Sequence, residues 1–231
     1  DVDTVVDLGF DSVKLDNCGT QKDLALYEDL FNESGHLVLV ENSHRGKTVP
    51  TDTWCPWNTY RTSQDIIATY GSMVRNLQTV MKFAKQGLSR PGCWANPDVL
   101  EIGCKGGVHG DVDKGMSIME SRSHFGAWCI VSSPLTLSMD IRDDDVMNRY
   151  WPIISNKEAI GINQAWYGHS GSTFKQSSHT VPLEGIEGTP EDGVHGDDRV
   201  PDYQFFHKPL AKKKVAVLLM NHAGKPQNLT L

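Results

Sequence analysis

The stretch Ser12-Val13-Lys14-Leu15-Asp16-Asn17-Cys18 is the one from which the rest of the chain can be read. Val13 and Leu15 alternate with polar neighbours as in a short strand, and the pattern stops at Asp16, before Asn17, Cys18 and Gly19. In an α/β barrel, chemistry sits at such strand ends. Side chains repeat with period two along a strand, so Lys14 and Asp16 share one face. A cation in that place favours the ionised carboxylate, the form in which an aspartate can act as a nucleophile. The plain alternative is an ordinary ion pair closing a strand.

Downstream, Leu24, Tyr27, Leu30 and Phe31 recur at helical spacing, and Ser34-Gly35 is a stop signal, which predicts a helix over 23–32. Residues 37–40 form a continuous apolar run, as in a strand covered on both faces, ending at Glu41. Strand, helix, strand in that order predicts a parallel pair with a right-handed crossover. Residues 42–58 carry no periodicity and read as a long ordered loop. A short strand is expected over 60–63, and the apolar positions from Ile66 to Ala84 predict one long amphipathic helix, with Asp65 between the two.

A turn follows over 91–98, with a strand around Trp94 to Asp98 and a short apolar run over 99–102. The Gly-rich segment 103–115 lacks the Gly-Lys-Ser/Thr of a phosphate cradle. Helices are expected over 117–130, 146–154 and 157–163, and a strand over 135–139 that stops at Asp140. Five strands, mostly alternating with helices, amount to five eighths of a (β/α)8 barrel, here assigned to 1–167. Beyond Gly168, Gly, Ser, Thr, Pro and acidic residues crowd the chain, and strands over 203–206 and 215–220 flank a Lys-rich turn. That texture predicts the beginning of a second, all-β domain over 168–231. Val2, Val5, Val6 and Leu8 enter at helical spacing without a cap, and Leu229 and Leu231 alternate as in an unfinished strand. The expectation is an internal fragment of a longer protein, inactive by itself because a barrel short of strands does not close.

With 231 residues, 39% hydrophobic and 22% charged, the composition is that of a globular protein with a sizeable core. Lys and Arg number 22 against 29 Asp and Glu, a formal charge of -7, and the one basic cluster is Lys212 to Lys214, so nucleic acid is not an expected partner. No apolar run approaches the roughly 18 residues of a membrane span. Of the five cysteines, Cys18, Cys55, Cys93, Cys104 and Cys129, three sit in loops or at strand ends beside Gly, Pro or Trp, which suits disulfides in an oxidising compartment, secreted or lysosomal/vacuolar. Asn32-Glu33-Ser34 and Asn228-Leu229-Thr230 are N-glycosylation patterns. The cysteine spacings match no zinc site, and neither metal nor cofactor is expected. The oligomeric state is left open.

If the barrel reading holds, Asp16, Glu41, Asp65, Asp98 and Asp140 collect at one rim. Retaining glycoside hydrolysis needs two carboxyls roughly 5 Å apart, one ionised and one holding a proton, and no metal. Asp65 stands four residues after Arg61 across a strand-to-helix turn, so it can lean over the site while Arg61 binds substrate hydroxyls. Alternatively the carboxylates cap helices, Asp65 the one starting at Ile66 and Asp140 one near Asp143, with Arg142 close enough to pair. For Asp140 the cap is the better reading. His109, His169, His179 and His195 lie in Gly-rich loops and read as solvated surface. Trp54, Trp57 and Trp94 either stack on the apolar face of a sugar or anchor loops.

Several blocks, taken in order, resemble glycoside hydrolase family 27, the α-galactosidases and α-N-acetylgalactosaminidases: Val13-Lys14-Leu15-Asp16-Asn17-Cys18, Arg61-Thr62-Ser63-Gln64-Asp65-Ile66, the run from Pro91 through Trp94-Ala95-Asn96-Pro97-Asp98 to Glu101, Ser121-Arg122-Ser123-His124-Phe125, Ser132-Ser133-Pro134-Leu135 and Asn156-Lys157-Glu158-Ala159-Ile160. The likeness runs from residue 1 to about 170. It implies a (β/α)8 TIM barrel followed by an antiparallel β-sandwich. It implies Asp16 as catalytic nucleophile and Asp65 as general acid/base, with retention through a covalent glycosyl-enzyme. Lys14 would hold a sugar hydroxyl and support the charge on Asp16, Glu41 and Arg61 would take the 2-hydroxyl region, and Asp98 would line the pocket and orient Arg61. Cys18 matches a cysteine that pairs upstream of this chain.

Departures from the family pattern also bear on the reading. Val40 stands where a cysteine is usual, which leaves Cys93 or Cys104 as partner for Cys55. Asn96 replaces an Asp, Val99 a Met, and Asn42-Ser43-His44 a Trp-containing loop. Glu41 favours galactose, since a carboxylate accepts from a 2-hydroxyl whereas an N-acetyl group needs room. The implied activity is hydrolysis of terminal α-D-galactosyl residues from a carbohydrate substrate. β-L-Arabinopyranosidase or α-N-acetylgalactosaminidase activity, and a non-catalytic carbohydrate-binding homologue, are the alternatives.

Overall fold

In a computed structural model, which describes residues 1–105, 115–186 and 198–230, four strands lie parallel in chain order. They are β1 (Ser12–Asp16), β2 (Leu39–Ser43), β3 (Thr59–Arg61) and β4 (Trp94–Asn96). The register sets Lys14 against Glu41, Asp16 against Ser43, Glu41 against Thr59, and Arg61 against Asn96. Strand β2 thus runs two residues past its predicted end at Glu41, because Asn42 and Ser43 pair with Leu15 and Asp16. The strand expected over 135–139 is reduced to a single parallel bridge between Leu137 and Leu100. Its partner segment is too short to extend a ladder: Asp98 (φ 95) and Gly103 (φ 78) turn the backbone on either side of it.

Between β1 and β2 runs α1's neighbour α2 (Leu24–Ser34), while α1 (Val2–Asp7) precedes β1. The Asp23 carboxylate accepts from the first free N–H groups of α2, at Ala25 and Leu26, and Gly35 ends the helix in the left-handed conformation at φ 69. Between β3 and β4, α3 (Tyr70–Lys85) begins four residues later than its apolar pattern predicts. The cap is Thr69, and the N–H groups of Ile66 and Ile67 go to Asp98 Oδ2 and Ser72 Oγ, so these two isoleucines are buried without being helical. Asp65 therefore caps no helix.

Next come α4 (Ile118–Ile130), α5 (Asp144–Ile154) and α6 (Lys157–Gln164). Ser117 and Glu120 form a capping box on α4, Asp143 caps α5 and Asn156 caps α6. Asp140 is not a cap: it is bound twice by Arg142, at 2.9 Å to each carboxylate oxygen. The core lies between the sheet and helices α3 and α4, around Met73, Leu77, Val80, Ala95, Leu100 and Trp128.

The remaining strands are antiparallel. β5 (Ser172–Gln176), β8 (Tyr203–Ala211) and β9 (Lys214–Asn221) make one sheet in the order β5-β8-β9, and β6 (Thr180–Pro182) pairs with β7 (Arg199–Pro201). The hydrophobic pattern predicts only β8 and β9. The other three are short and rich in Ser, Thr and Pro, so no apolar alternation marks them.

This part is locked onto the helices by buried contacts. Lys208, fully buried on β8, donates to the carbonyls of Ile162 and Asn163 at the end of α6, the negative end of that helix. Burial pulls its ammonium down to about 8. Gly171 meets α4 so closely that a Cβ would lie 2.0 Å from the Ile130 oxygen. His169, expected at the surface, is half-buried and stacked on His207 with ring centroids 6.0 Å apart. His179 is exposed, whereas His109, His195 and most of the Gly-rich segment after Gly103 lie outside the described residues.

Candidate active site

As the period of two in β1 predicts, Lys14 and Asp16 share a face: Lys14 Nζ lies 3.6 Å from Asp16 Oδ1, both side chains half-exposed. Across the ladder Lys14 faces Glu41. Burial pushes the Glu41 carboxyl up, against the pull of Lys14 and Arg61.

The neighbouring half of the rim is built around Arg61 at the end of β3, which is 1% exposed. Its Nη2 reaches Asp98 Oδ2 at 2.8 Å, Asp65 Oδ1 at 3.0 Å and the Ser63 carbonyl at 3.3 Å. Asp98 in turn accepts from the backbone N–H of Ile66 (2.9 Å) and Val99 (2.8 Å). Burial pushes its carboxyl up while Arg61 and those two N–H groups pull it back. Asn96, the last residue of β4, joins the halves: its Oδ1 accepts from the Asp98 N–H at 2.9 Å and its Nδ2 lies 3.5 Å from Glu41 Oε1.

Of the six residues singled out in the sequence, Asp16 and Arg61 end β1 and β3, Asp65 and Asp98 follow the ends of β3 and β4, and Lys14 and Glu41 sit paired in the middle of β1 and β2. Contacts run from Asp16 to Lys14, on across the ladder to Glu41, and through Asn96, Asp98 and Arg61 to Asp65. Asp140 stands apart with Arg142. Beside Asp16 opens a cavity of about 430 Å³ that Lys14, Cys18, Lys22 and His44 also line. Asp65 is not among its lining residues.

Two residues at this rim carry no signal in the sequence pattern, because residues 42–58 lack periodicity. Arg45, at φ 53, places Nη2 2.8 Å from Asp65 Oδ2, so the two oxygens of Asp65 face two different guanidinium groups. His44 is buried against the cavity. For Arg45 only its place just beyond a strand end could have drawn attention, whereas His44 already stood out within the Asn42-Ser43-His44 departure. The loop itself is anchored by the disulfide Cys55–Cys93, so of the two partners open to Cys55 it is Cys93 that pairs, while Cys104 is a free thiol. Trp57 is buried, with Trp54 edge-on at 5.0 Å, and Trp94 is edge-on to Trp166 at 5.3 Å. Trp57 is a loop anchor. Among the described residues, no three His, Cys, Asp or Glu side chains are grouped to hold a metal ion.

Chemically, the rim presents one carboxylate beside an ammonium and a second gripped by guanidinium groups, with a polar cavity next to the first. Comparison with known proteins adds to this geometry. The Melibiase_2 family, described as alpha galactosidase A, matches residues 1–165. Alpha-galactosidase 2 of Arabidopsis thaliana is 30% identical over 238 residues, covering 100% of this chain and 50% of that protein. An alpha-galactosidase of Oryza sativa subsp. japonica is 32% identical, over 77% of this chain and 41% of that protein. The structure of alfa-galactosidase from Saccharomyces cerevisiae superposes with a TM-score of 0.69 at 20% identity, over 96% of this chain and 50% of that one, a likeness of fold. The chain spans about half the length of the curated relatives it matches.

Proposed function

The chain belongs to the alpha galactosidase A family, and from that premise we propose that it carries the catalytic carboxylates of a retaining exo-glycosidase acting on terminal α-D-galactosyl residues. The observation that carries the reading is the buried Arg61 guanidinium bridging Asp65 and Asp98 at the same strand ends that bear the Lys14–Asp16 pair.

In this reading an Asp16 oxygen attacks the anomeric carbon as the glycosidic C–O bond breaks, and Asp65 gives its proton to the departing oxygen. Water then attacks the same carbon, Asp65 takes its proton, and the bond to Asp16 breaks with net retention. Arg61 holds one oxygen of Asp65 and is itself fixed by Asp98, so Asp98 positions the acid/base group through Arg61. For Asp65 to carry its proton, one oxygen must turn away from a cation, and the exposed Arg45 is the partner that can move. Lys14 steadies the developing charges next to Asp16, and Glu41 accepts from the 2-hydroxyl of the sugar.

The fold assignment extends the same way: residues 1–167, with four parallel strands and the Leu100–Leu137 bridge in place of the expected fifth, are part of a (β/α)8 barrel, and residues 168–231 are part of an antiparallel β-sandwich domain. The Cys55–Cys93 disulfide suits a secreted, lysosomal or vacuolar protein. Among the described residues no helix is long and apolar enough to cross a membrane.

The test uses the full-length protein containing this chain. It should release nitrophenol from a nitrophenyl α-galactoside. The variant Asp16→Ala should lose that activity by at least about 10³-fold with an unchanged circular-dichroism spectrum. Turnover at the wild-type rate in Asp16→Ala would remove the nucleophile. Calorimetric galactose binding without hydrolysis in the wild type would favour a binding protein.

A further inference from the structure

The pattern Asn32-Glu33-Ser34 lies at the end of α2, and the function proposed above does not use it. The helix turns Leu24 and Phe31 inward, while Asn32, one position past Phe31, is exposed. Its carbonyl accepts from the Gly35 N–H at 3.2 Å, and Ser34 Oγ donates to the Phe31 carbonyl at 2.6 Å, so the helix end is fixed without the Asn32 amide. Asn32 also stands at a cavity of about 220 Å³ between α2 and the loop before β3, with Phe31, His36, Leu37, Pro56 and Trp57 in its wall. The disulfide Cys55–Cys93 holds that loop in place. Leu37 is 91% exposed there, although its neighbours Val38 and Val40 are buried. An apolar side chain in the wall of a cavity gains when something covers it.

We propose that Asn32 carries an N-linked glycan whose first N-acetylglucosamine residue packs over Leu37 at this cavity. The inference rests on the secretory reading of the disulfide, not on the hydrolase reading. In the transfer, Asn32 Nδ2 displaces the diphosphate of a lipid-linked oligosaccharide. A C–N bond forms at the anomeric carbon, the C–O bond to the diphosphate breaks with its electron pair leaving on the diphosphate, and Nδ2 gives up one proton. The acceptor needs a hydroxyl two residues on, which Ser34 supplies, and a surface position for the bulky product, which the exposed end of α2 supplies. Once attached, the first sugar is held beside the cavity by a covalent bond, so packing there costs no translational freedom. Its apolar C–H face covers Leu37, and its hydroxyl and acetamido groups stay with Glu28 and His36, which also line the cavity.

Attachment and packing are tested separately on the full-length protein secreted from a eukaryotic host. Peptide N-glycosidase should remove the mass of a glycan, which Asn32→Gln should lack and Asn228→Gln, at the other exposed pattern, should keep. Trimming the glycan to its first sugar with an endoglycosidase should leave Tm unchanged, and removing that sugar as well should lower it by about 2–4 °C. In Leu37→Ser that fall should disappear. An unglycosylated Asn32 overturns the proposal. A Tm indifferent to the first sugar, or one that falls as far in Leu37→Ser, overturns the packing over Leu37. An intact Cys55–Cys93 bridge without a glycan at Asn32 leaves the secretory reading standing, whereas absence of both removes that reading too. The hydrolase reading stands or falls separately, on turnover of the nitrophenyl galactoside.

Discussion

The two halves of the rim are built differently. Arg61, Asp98 and the segment carrying Asp65 are tied across β3, β4 and the lead into α3 by a guanidinium that is 1% exposed and by backbone N–H groups of Ile66 and Val99. Lys14 and Asp16 project from β1, an edge strand among the described residues, with 51% and 55% of their side chains exposed. In the first half, order comes from buried groups that cannot be left unpaired. In the second, alternation along a strand aims two side chains the same way and little else holds them. A charged pair can be well placed for chemistry and still contribute almost nothing to stability.

Removing the buried carboxylate should give the largest effect. Asp98→Ala leaves Arg61 short of a partner and strips an acceptor from Ile66 and Val99, and should destabilise the protein by about 3–5 kcal/mol in urea unfolding. A loss below about 1 kcal/mol would mean that the half around Arg61 is no more cross-linked than β1.

A pH titration of stability sharpens the same contrast. His124, on α4, is wholly buried and its Nε2 accepts from the Glu101 N–H at 3.0 Å, and burial pulls its pKa down to about 3. The folded ring binds a proton less readily than the unfolded one. Its contribution is therefore present above the ordinary histidine range near 6.5 and is lost as pH falls toward 3, at about 1.4 kcal/mol per pH unit. His124→Phe should flatten that part of the urea-midpoint profile, and an unchanged slope would assign the loss to other groups. The smallest effect belongs to the open half: Lys14→Met should change stability by less than about 1 kcal/mol, measured as a Tm shift.

Where structure is local, the amino-acid order was enough to read it. Asp23 and Gly35 bracket α2, the apolar pattern over 117–130 marks α4, and Lys14 with Asp16 share a face, because each relation spans at most a few residues and repeats at 2.0 or 3.6. Where a distant group intervened, the same reasoning missed. Ile66 and Ile67 fit a helical stripe, yet Asp98, 32 residues away from Ile66, takes the N–H of Ile66 and the helix starts at Tyr70. Residues 135–139 fit a strand, yet their partner segment turns away after one bridge.

The linear chain by itself determined that strands and helices would alternate into a parallel sheet, that Asp16 would end β1, that Asp65 would follow Arg61 by four residues beyond β3, and that an antiparallel part would follow. Only the tertiary structure decided that one guanidinium nitrogen of Arg61 serves Asp98 and Asp65 together, that Arg45 closes on Asp65, and that Cys55 takes Cys93 rather than Cys104. The division is physical. Backbone periodicity is a property of neighbouring residues, whereas ion pairs and disulfides depend on which remote groups the packed core brings within about 3 Å of one another.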